Sequence, residues 1–314
     1  MIPDSIILQE CSQEEILDII NKFETSKACG PFSIPTKIIK EFANYLIVPL
    51  TTLVNQSLDE GIFPQDLKYA LVCTIFKKGD KTKCSNYRPI SLLSNISKVF
   101  EHVVYNRIET FLNEHDTIYE LQFGFRKNLS TNHALLSIVE QIRTNLDNKT
   151  FSCGVFVDLE KAFDTINHEI LVNKLEHYGI RNKTSNWIKS YLSNRTQSVI
   201  TNGYTSDKLA VSCGVPQGSI LGPLLFIMYI NDLHKALNKN TAFHFSDDTN
   251  LLYSHKDPDF IRKTMNKELG LLFEWLCANR LSLNVGKTEF IIFRPPKTNL
   301  IKQIVLRINR TRIF

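Results

Sequence analysis

The chain has 314 residues, of which 43% are hydrophobic and 22% charged. That is enough apolar material to bury a substantial core as one large or two intimate domains. Its 37 Lys and Arg against 32 Asp and Glu give a net charge of +5, a mild bias compatible with nucleic acid but shared by many enzymes. The longest apolar run, Ile220 to Ile230, contains Gly222-Pro223 and is too short to span a bilayer. Met1-Ile2-Pro3-Asp4-Ser5 lacks the basic and apolar regions of a signal peptide. The seven cysteines include no CxxC pair, which argues against a zinc site or a disulfide framework. These features predict an intracellular chain, nuclear or cytoplasmic and not secreted, with no membrane partner. Cys153 and Cys213 lie in strand-like runs and are expected to act as small hydrophobes.

In chain order, Ser12-Gln13-Glu14-Glu15 reads as a capping box for a helix with Ile16, Leu17, Ile19, Ile20 and Phe23 at helical spacing. Cys29-Gly30-Pro31 ends that helical block, and a second runs from about Pro35 to Leu58, closed by Gly61 and Pro64. Leu71 to Phe76 reads as a strand, followed by a basic turn over 77–81. Helices are predicted over about Asn95–Leu112 and from Ser130 or Thr131 to about Leu146. Phe151 to Asp158 is a strand, with a helix following near Asn167–His177. Asn202-Gly203 is a hairpin signal between Gln197–Ile200 and Leu209–Ser212. A helix is predicted over roughly Ser219–Leu237. Thr241–Phe245 and Asn250–Tyr253 form a second hairpin around Asp247-Asp248. A long helix over about Asp259–Asn279 and a strand at Phe290–Phe293 complete the chain. There is no internal repeat, and the order of elements argues an α+β fold with a central antiparallel sheet.

The acidic residues are the sharpest chemical signal. Asp158 and the pair Asp247-Asp248 each end a short apolar strand, and carboxylates delivered by neighbouring strand ends can hold two divalent ions for in-line phosphoryl transfer. The plain alternatives are a solvated hairpin tip for the pair and a helix N-cap for Asp158. Phe243, Phe245, Leu251 and Leu252 favour the first reading, because they set the pair at the edge of a core, where two carboxylates repel unless a cation neutralises them. Such oxygen ligands suit magnesium. Glu160 or Asp164 remains an alternative to Asp158 as the third ligand. Ser212 to Ser219 is a glycine-bearing turn into a helix, whose exposed N–H groups suit a nucleotide or merely form a loop. Arg126 can clamp a phosphate in two-pronged fashion or be an ordinary surface arginine. Lys77, Lys78, Lys81, Lys83 and Arg88 can grip a nucleic-acid backbone or form a solvated turn. His244 lies beside the acids but on the opposite side of its strand from Phe245, and is expected to be structural or exposed. There is no GxxxxGK[ST] phosphate loop.

Six segments, taken in order, resemble the reverse transcriptase domain of non-LTR retrotransposons of the jockey-like, LINE-type group. They are Asn86-Tyr87-Arg88-Pro89-Ile90-Ser91-Leu92-Leu93, Gln122-Phe123-Gly124-Phe125-Arg126, the run from Phe156 to Asp164, the run from Gly214 to Phe226, Phe245-Ser246-Asp247-Asp248-Thr249, and the run from Leu283 to Glu289. Gly30-Pro31 and the helices after it resemble the segment that precedes this domain.

The resemblance implies a right-hand polymerase with fingers and palm, α+β with a central antiparallel sheet. Fingers are expected over 66–150 and palm over 151–295, with elements shared between them around 183–230. A helical N-terminal extension would occupy 1–65, and a truncated segment 296–314 would leave the thumb missing, the domain as a whole covering about 66–314. Asp158, Asp247 and Asp248 would be the catalytic, metal-binding triad for two Mg2+ ions, with Mn2+ as a substitute. Phe163 would crowd a ribose 2′-OH, and Arg126 would contact the incoming dNTP. Gln217 and Gly218 would line the nucleotide and template pocket, and Lys287 would approach the triphosphate. Lys77, Lys78 and Arg88 would meet nucleic acid, and the partners would be an RNA template, a DNA primer and dNTPs. Two departures stand out. Ser246 replaces the family's usual Ala, and no Tyr-Leu-Gly triplet occurs between 290 and 314. The second departure, with no upstream endonuclease, points to a fragment of a larger element or to a decayed copy. A non-catalytic nucleic-acid-binding relic is therefore the alternative to an active polymerase.

Overall fold

A computed structural model describes residues 2–26, 30, 34–296, 304–309 and 311–313. In chain order the elements are α1 (Gln13–Lys22), α2 (Thr36–Glu41), α3 (Ala43–Glu60), β1 (Tyr69–Phe76), β2 (Tyr87–Leu92), α4 (Asn95–Glu114), α5 (Thr131–Asp147), β3 (Phe151–Val157), β4 (Leu159–Glu160), α6 (His168–His177), α7 (Asn182–Leu192) and β5 (Arg195–Thr201). They continue with β6 (Tyr204–Thr205), β7 (Leu209–Val211), α8 (Leu221–Ile230), α9 (Leu233–Ala236), β8 (Thr241–Phe245), β9 (Asp248–His255), α10 (Pro258–Ala278), β10 (Ser282–Leu283), β11 (Glu289–Phe293), β12 (Leu306–Ile308) and β13 (Thr311–Ile313). The chain divides into two compact units, Met1–Thr117 with Asn167–Leu225, and Ile118–Ile166 with Phe226–Phe314. No helix among the described residues is long and apolar enough to cross a membrane.

The first unit holds a five-stranded sheet in the order β2-β1-β5-β6, with β7 also on β5. β1 and β5 pair in parallel, Tyr69 opposite Thr196, while the other pairs are antiparallel. This sheet is therefore mixed, and it stands beside the antiparallel sheet expected from the sequence. Aromatic packing anchors the helical part. Phe63 meets Phe100, Trp187 and Tyr191 edge-on at 6.1, 5.3 and 5.1 Å, the geometry that aromatic quadrupoles favour. All four rings are buried. At the start of α1 the Ser12 hydroxyl accepts from the Glu15 N–H at 3.2 Å. The Glu15 carboxylate makes a two-pronged pair with Arg107 at 2.9 and 3.0 Å, so this end of the expected capping box is diverted into a long-range ion pair.

The second unit holds a four-stranded, wholly antiparallel sheet in the order β11-β3-β9-β8. β3 is buried along almost its whole length, which explains why its sequence runs apolar rather than alternating. α5 packs on β3 and β8, and α10 on β9. Phe123, Ala134, Phe243 and Leu252 form a buried cluster here.

Several elements differ from expectation. The block from Pro35 to Leu58 is two helices, interrupted at Phe42, where the backbone leaves the helical region (φ −100°, ψ 15°). The helix expected to reach Leu237 ends at Ile230, and the short α9 follows. β2 and α7 were not anticipated. Cys153 is buried, with its thiol pushed up to about 12 by desolvation, but Cys213 is exposed. β7 stops at Val211, two residues short of it, so Cys213 does not act as a core hydrophobe.

Candidate active site

The second unit's sheet brings the acidic residues to one end. Phe245 pairs with Asp248 across β8 and β9, so the connection is the two-residue turn Ser246-Asp247, and Asp248 opens the strand. Ser246 takes a left-handed φ of 59°, as the first position of such a tight turn demands. The turn is braced from outside. Phe123 N–H donates to His244 O at 2.8 Å and His244 N–H to Leu121 O at 2.9 Å, so residues 121–124 lie along β8 as an extra edge. A Cβ on Gly124 would stand 2.1 Å from the Ser246 nitrogen. Only glycine allows this approach. His244 is buried, not exposed. Its Nδ1 lies 3.0 Å from Thr249 Oγ1, and burial, helped by neighbouring His234, pushes its pKa down to about 4. It is a structural residue of this brace.

β3 supplies the third carboxylate. Val157 pairs with Thr249, so Asp158, one residue further, faces the position of Asp248 across the antiparallel ladder. Asp158 does not cap a helix; the chain continues into β4, which pairs with β10. A loop from the far end of the chain wraps it instead. Asn284 N–H donates to Asp158 O at 2.9 Å, Asn284 Nδ2 donates to Asp158 Oδ2 at 2.8 Å, and Lys287 Nζ lies 3.7 Å from the same oxygen. The Asp158 N–H donates to Thr288 Oγ1 at 3.5 Å, and that hydroxyl donates to Asn284 O at 2.9 Å. Partial desolvation, then the charges of Asp247 and Asp158, hold the Asp248 carboxyl above the usual carboxylate range. Asp248 is thus close enough to the other two acids to feel both charges. Among the described residues no three His, Cys, Asp or Glu side chains are placed so that they could hold a metal ion, so it is the chemistry of the donors alone that speaks for one. The donor set is all carboxylate oxygen, with negative charge in excess, and such a set fits a hard divalent cation that keeps waters and substrate oxygens among its ligands. Glu160 is exposed and pairs with Ser282 on the neighbouring ladder, while Asp164 sits in the turn after β4, its N–H on Lys161 O at 2.8 Å.

The other anticipated residues fall in both units. In the second, Phe163 is half-buried, stacked on Phe226 at 4.5 Å and edge-on to Phe125 at 6.0 Å. Arg126 donates through Nη1 to the carbonyls of Tyr119 and Gln122, both at 3.3 Å. In the first, Gln217 O accepts from Ser91 N–H at 2.7 Å. Gly218 has φ 121°, and a Cβ there would lie 2.6 Å from Ser91 O. Lys77, Lys78 and Arg88 are exposed on the β1–β2 hairpin, with Arg88 opposite Ile75. Asn284 and Thr288 were not anticipated as partners of Asp158. Their signal was present, since both lie in the segment from Leu283 to Glu289, but side-chain type alone does not reveal which backbone they grip.

Residues 75–304 match the family described as reverse transcriptase (RNA-dependent DNA polymerase). The chain is 32% identical over 297 residues to the RNA-directed DNA polymerase from mobile element jockey of Drosophila melanogaster, covering 92% of this chain and 32% of that protein. It is 30% identical over 299 residues to the probable RNA-directed DNA polymerase from transposon BS of the same organism, covering 90% and 32%. Against the Pol polyprotein from retrotransposable element R2 of Popillia japonica it is 31% identical over 230 residues, 68% of this chain and 31% of that protein. The chain spans about a third of the length of the curated relatives it matches. With nearly three-quarters of its length inside the family's profile, the chain belongs to the reverse transcriptase (RNA-dependent DNA polymerase) family.

Proposed function

We propose that the chain is the RNA-directed DNA polymerase domain of a non-LTR mobile element, which transfers nucleotidyl groups from dNTPs to a DNA primer 3′-OH on an RNA template. One observation supports this above the others: Asp158 lies one residue past the Val157–Thr249 pair, facing Asp248, with Asp247 in the adjoining turn, and Asp248 feels both other charges. In this reading the four-stranded sheet is the palm, within 151–295, and residues 66–150 form the fingers.

Two magnesium ions, or manganese in their place, held by Asp158, Asp247 and Asp248, would activate the primer hydroxyl and neutralise charge on the leaving pyrophosphate. The chain's own groups do the rest. Asn284 fixes the orientation of the Asp158 carboxylate through its short hydrogen bond. Lys287, its Nζ within reach of Asp158, serves the triphosphate as a charge partner or as a proton donor. Phe163, its ring stacked on Phe226, is a stiff wall against a ribose 2′-OH. Arg126, held by two carbonyls, presents a planar fork to phosphate. Gln217 and Gly218 line the nucleotide and template pocket. Rate then comes from positioning and electrostatics rather than from a covalent protein intermediate.

The test is dTTP incorporation on a poly(rA)/oligo(dT) duplex with magnesium, comparing the chain with Asp247→Ala. Synthesis by the wild type, reduced about a hundred- to a thousandfold in the variant as for loss of a principal electrostatic group, is the expected result. Duplex binding without synthesis by the wild type would instead favour the non-catalytic reading.

A further inference from the structure

The first unit contains a buried charge that the proposed mechanism does not use. Glu101, on α4, has no solvent exposure, and four donors converge on it. Its Oε2 accepts from Ile220 N–H at 2.8 Å, Leu221 N–H at 3.2 Å and the Tyr191 hydroxyl at 3.1 Å, and its Oε1 accepts from the Ser97 hydroxyl at 3.0 Å. The two N–H groups can only donate and the two hydroxyls can donate as well, so the ionised carboxylate, which only accepts, matches the pocket. Burial pushes the Glu101 carboxyl up, and nearby Arg195, then the Leu221 and Ile220 N–H groups and Ser97, oppose that push. Arg195 is itself buried, with its guanidinium 4.9 Å from the Tyr191 ring centre and Nη1 on Tyr191 O at 3.1 Å.

Ile220 and Leu221 are the entry to α8, where backbone N–H groups lack helical acceptors and the dipole favours an anion. Directly before them stands the Pro216-Gln217-Gly218-Ser219 turn. Ser219 Oγ donates to Pro216 O at 2.8 Å and accepts from Gly222 N–H at 2.9 Å, and Gln217 is tied to Ser91. Gly218 is exposed and Gln217 half-buried. A solvent-facing turn is thus held from beneath by a side chain contributed 119 residues away in sequence. Helix capping by the turn's own serine would not require a buried charge, which costs free energy unless its partners are well placed.

We propose that Glu101 is a positioning residue, a buried anion that locks the Pro216-Gln217-Gly218-Ser219 turn and the start of α8 in the conformation that receives the incoming nucleotide. This rests on the reading of Gln217 and Gly218 as nucleotide-lining. The test measures two affinities without turnover: that of the chain for a poly(rA)/oligo(dT) duplex with a dideoxy-terminated primer, and that of the resulting complex for dTTP. Glu101→Ala is expected to weaken dTTP about tenfold, the loss of one good charged contact, while duplex affinity stays within about twofold. Glu101→Gln, which keeps the shape and an acceptor oxygen, is expected to stay within about threefold of the wild type for dTTP. Unchanged dTTP affinity in Glu101→Ala, or a parallel loss of both affinities, would overturn the proposal. Where Glu101→Ala does not fold, Tyr191→Phe removes a single donor and decides the matter by the same two affinities. Gln217→Ala separates the premise from the inference. If it weakens dTTP and the Glu101 variants do not, positioning by Glu101 fails while the turn's role stands. If it has no effect, the nucleotide-lining reading falls, and the proposal with it.

Discussion

At the scale of single residues, the candidate site is a balance of like charges held by unlike devices. Asp248 holds its proton more tightly in the folded chain than in an unfolded one, because desolvation and the charges of Asp247 and Asp158 disfavour its anion. For a carboxyl with a raised pKa, folding is favoured at low pH, and that advantage is lost as pH rises through the elevated value. Asp248→Asn should therefore raise the melting temperature at pH 7.5, with the gain fading below the ordinary carboxylate range. Added magnesium should stabilise the wild type more than the variant, because a ligand stabilises only the form that binds it; thermal denaturation with and without the cation checks both statements. His244 has the opposite sign. Its pKa is depressed to about 4 by burial, so its contribution to stability is complete above the ordinary imidazole value of about 6.5 and is lost as pH falls from there towards 4. His244→Gln should flatten the acid limb of the melting-temperature profile between those limits.

At the scale of elements, what was legible followed from local periodicity. α1, α4, α5 and α10 show apolar residues at helical spacing, and β3 and β8 are short apolar runs ended by acids, so each was placed within a few residues. α7 was missed although Trp187, Ile188, Tyr191 and Leu192, all buried, fall at helical spacing, because this apolar face is short and most of the residues around it are polar. β2 was obscured by Pro89 and by a half-buried pattern without alternation. The parallel pairing of β1 with β5 joins residues more than a hundred apart, which no local pattern encodes. The same limit applies at the candidate site. The acids announced themselves, whereas Asn284 and Thr288 hold Asp158 across more than a hundred residues of chain, Asn284 through the Asp158 carboxylate and Thr288 through its N–H. The β1–β2 hairpin yields a prediction at this scale. Its tip is tied by the Lys77 N–H to Asn86 O at 2.9 Å, and Lys77, Lys78 and Arg88 are exposed. If they meet the nucleic-acid backbone, replacing all three by Ala should lower duplex affinity and reduce the slope of log K against log salt by about two to three, near 0.7 to 0.9 per lost phosphate contact. An unchanged slope in a filter-binding titration would mark the hairpin as a solvated turn.

For the molecule as a whole, the modest net charge of +5 was a weak guide, and six ordered segments were a strong one, because together they span both compact units. The family match over residues 75–304 agrees with that reading, and the chemistry then rests on whether three carboxylates from two strand ends work as one set. Mn2+ binding followed by electron paramagnetic resonance tests this most directly, comparing the wild type with Asp158→Asn, Asp247→Asn and Asp248→Asn, the Asp158/Asp248 double variant, and Glu160→Gln as a control. Shared coordination predicts that each single Asp variant weakens Mn2+, that the double variant loses less than the sum of its singles, as expected for residues acting on one ligand, and that Glu160→Gln binds like the wild type. Wild-type Mn2+ affinity in Asp158→Asn, or strictly additive losses in the double variant, would contradict the account.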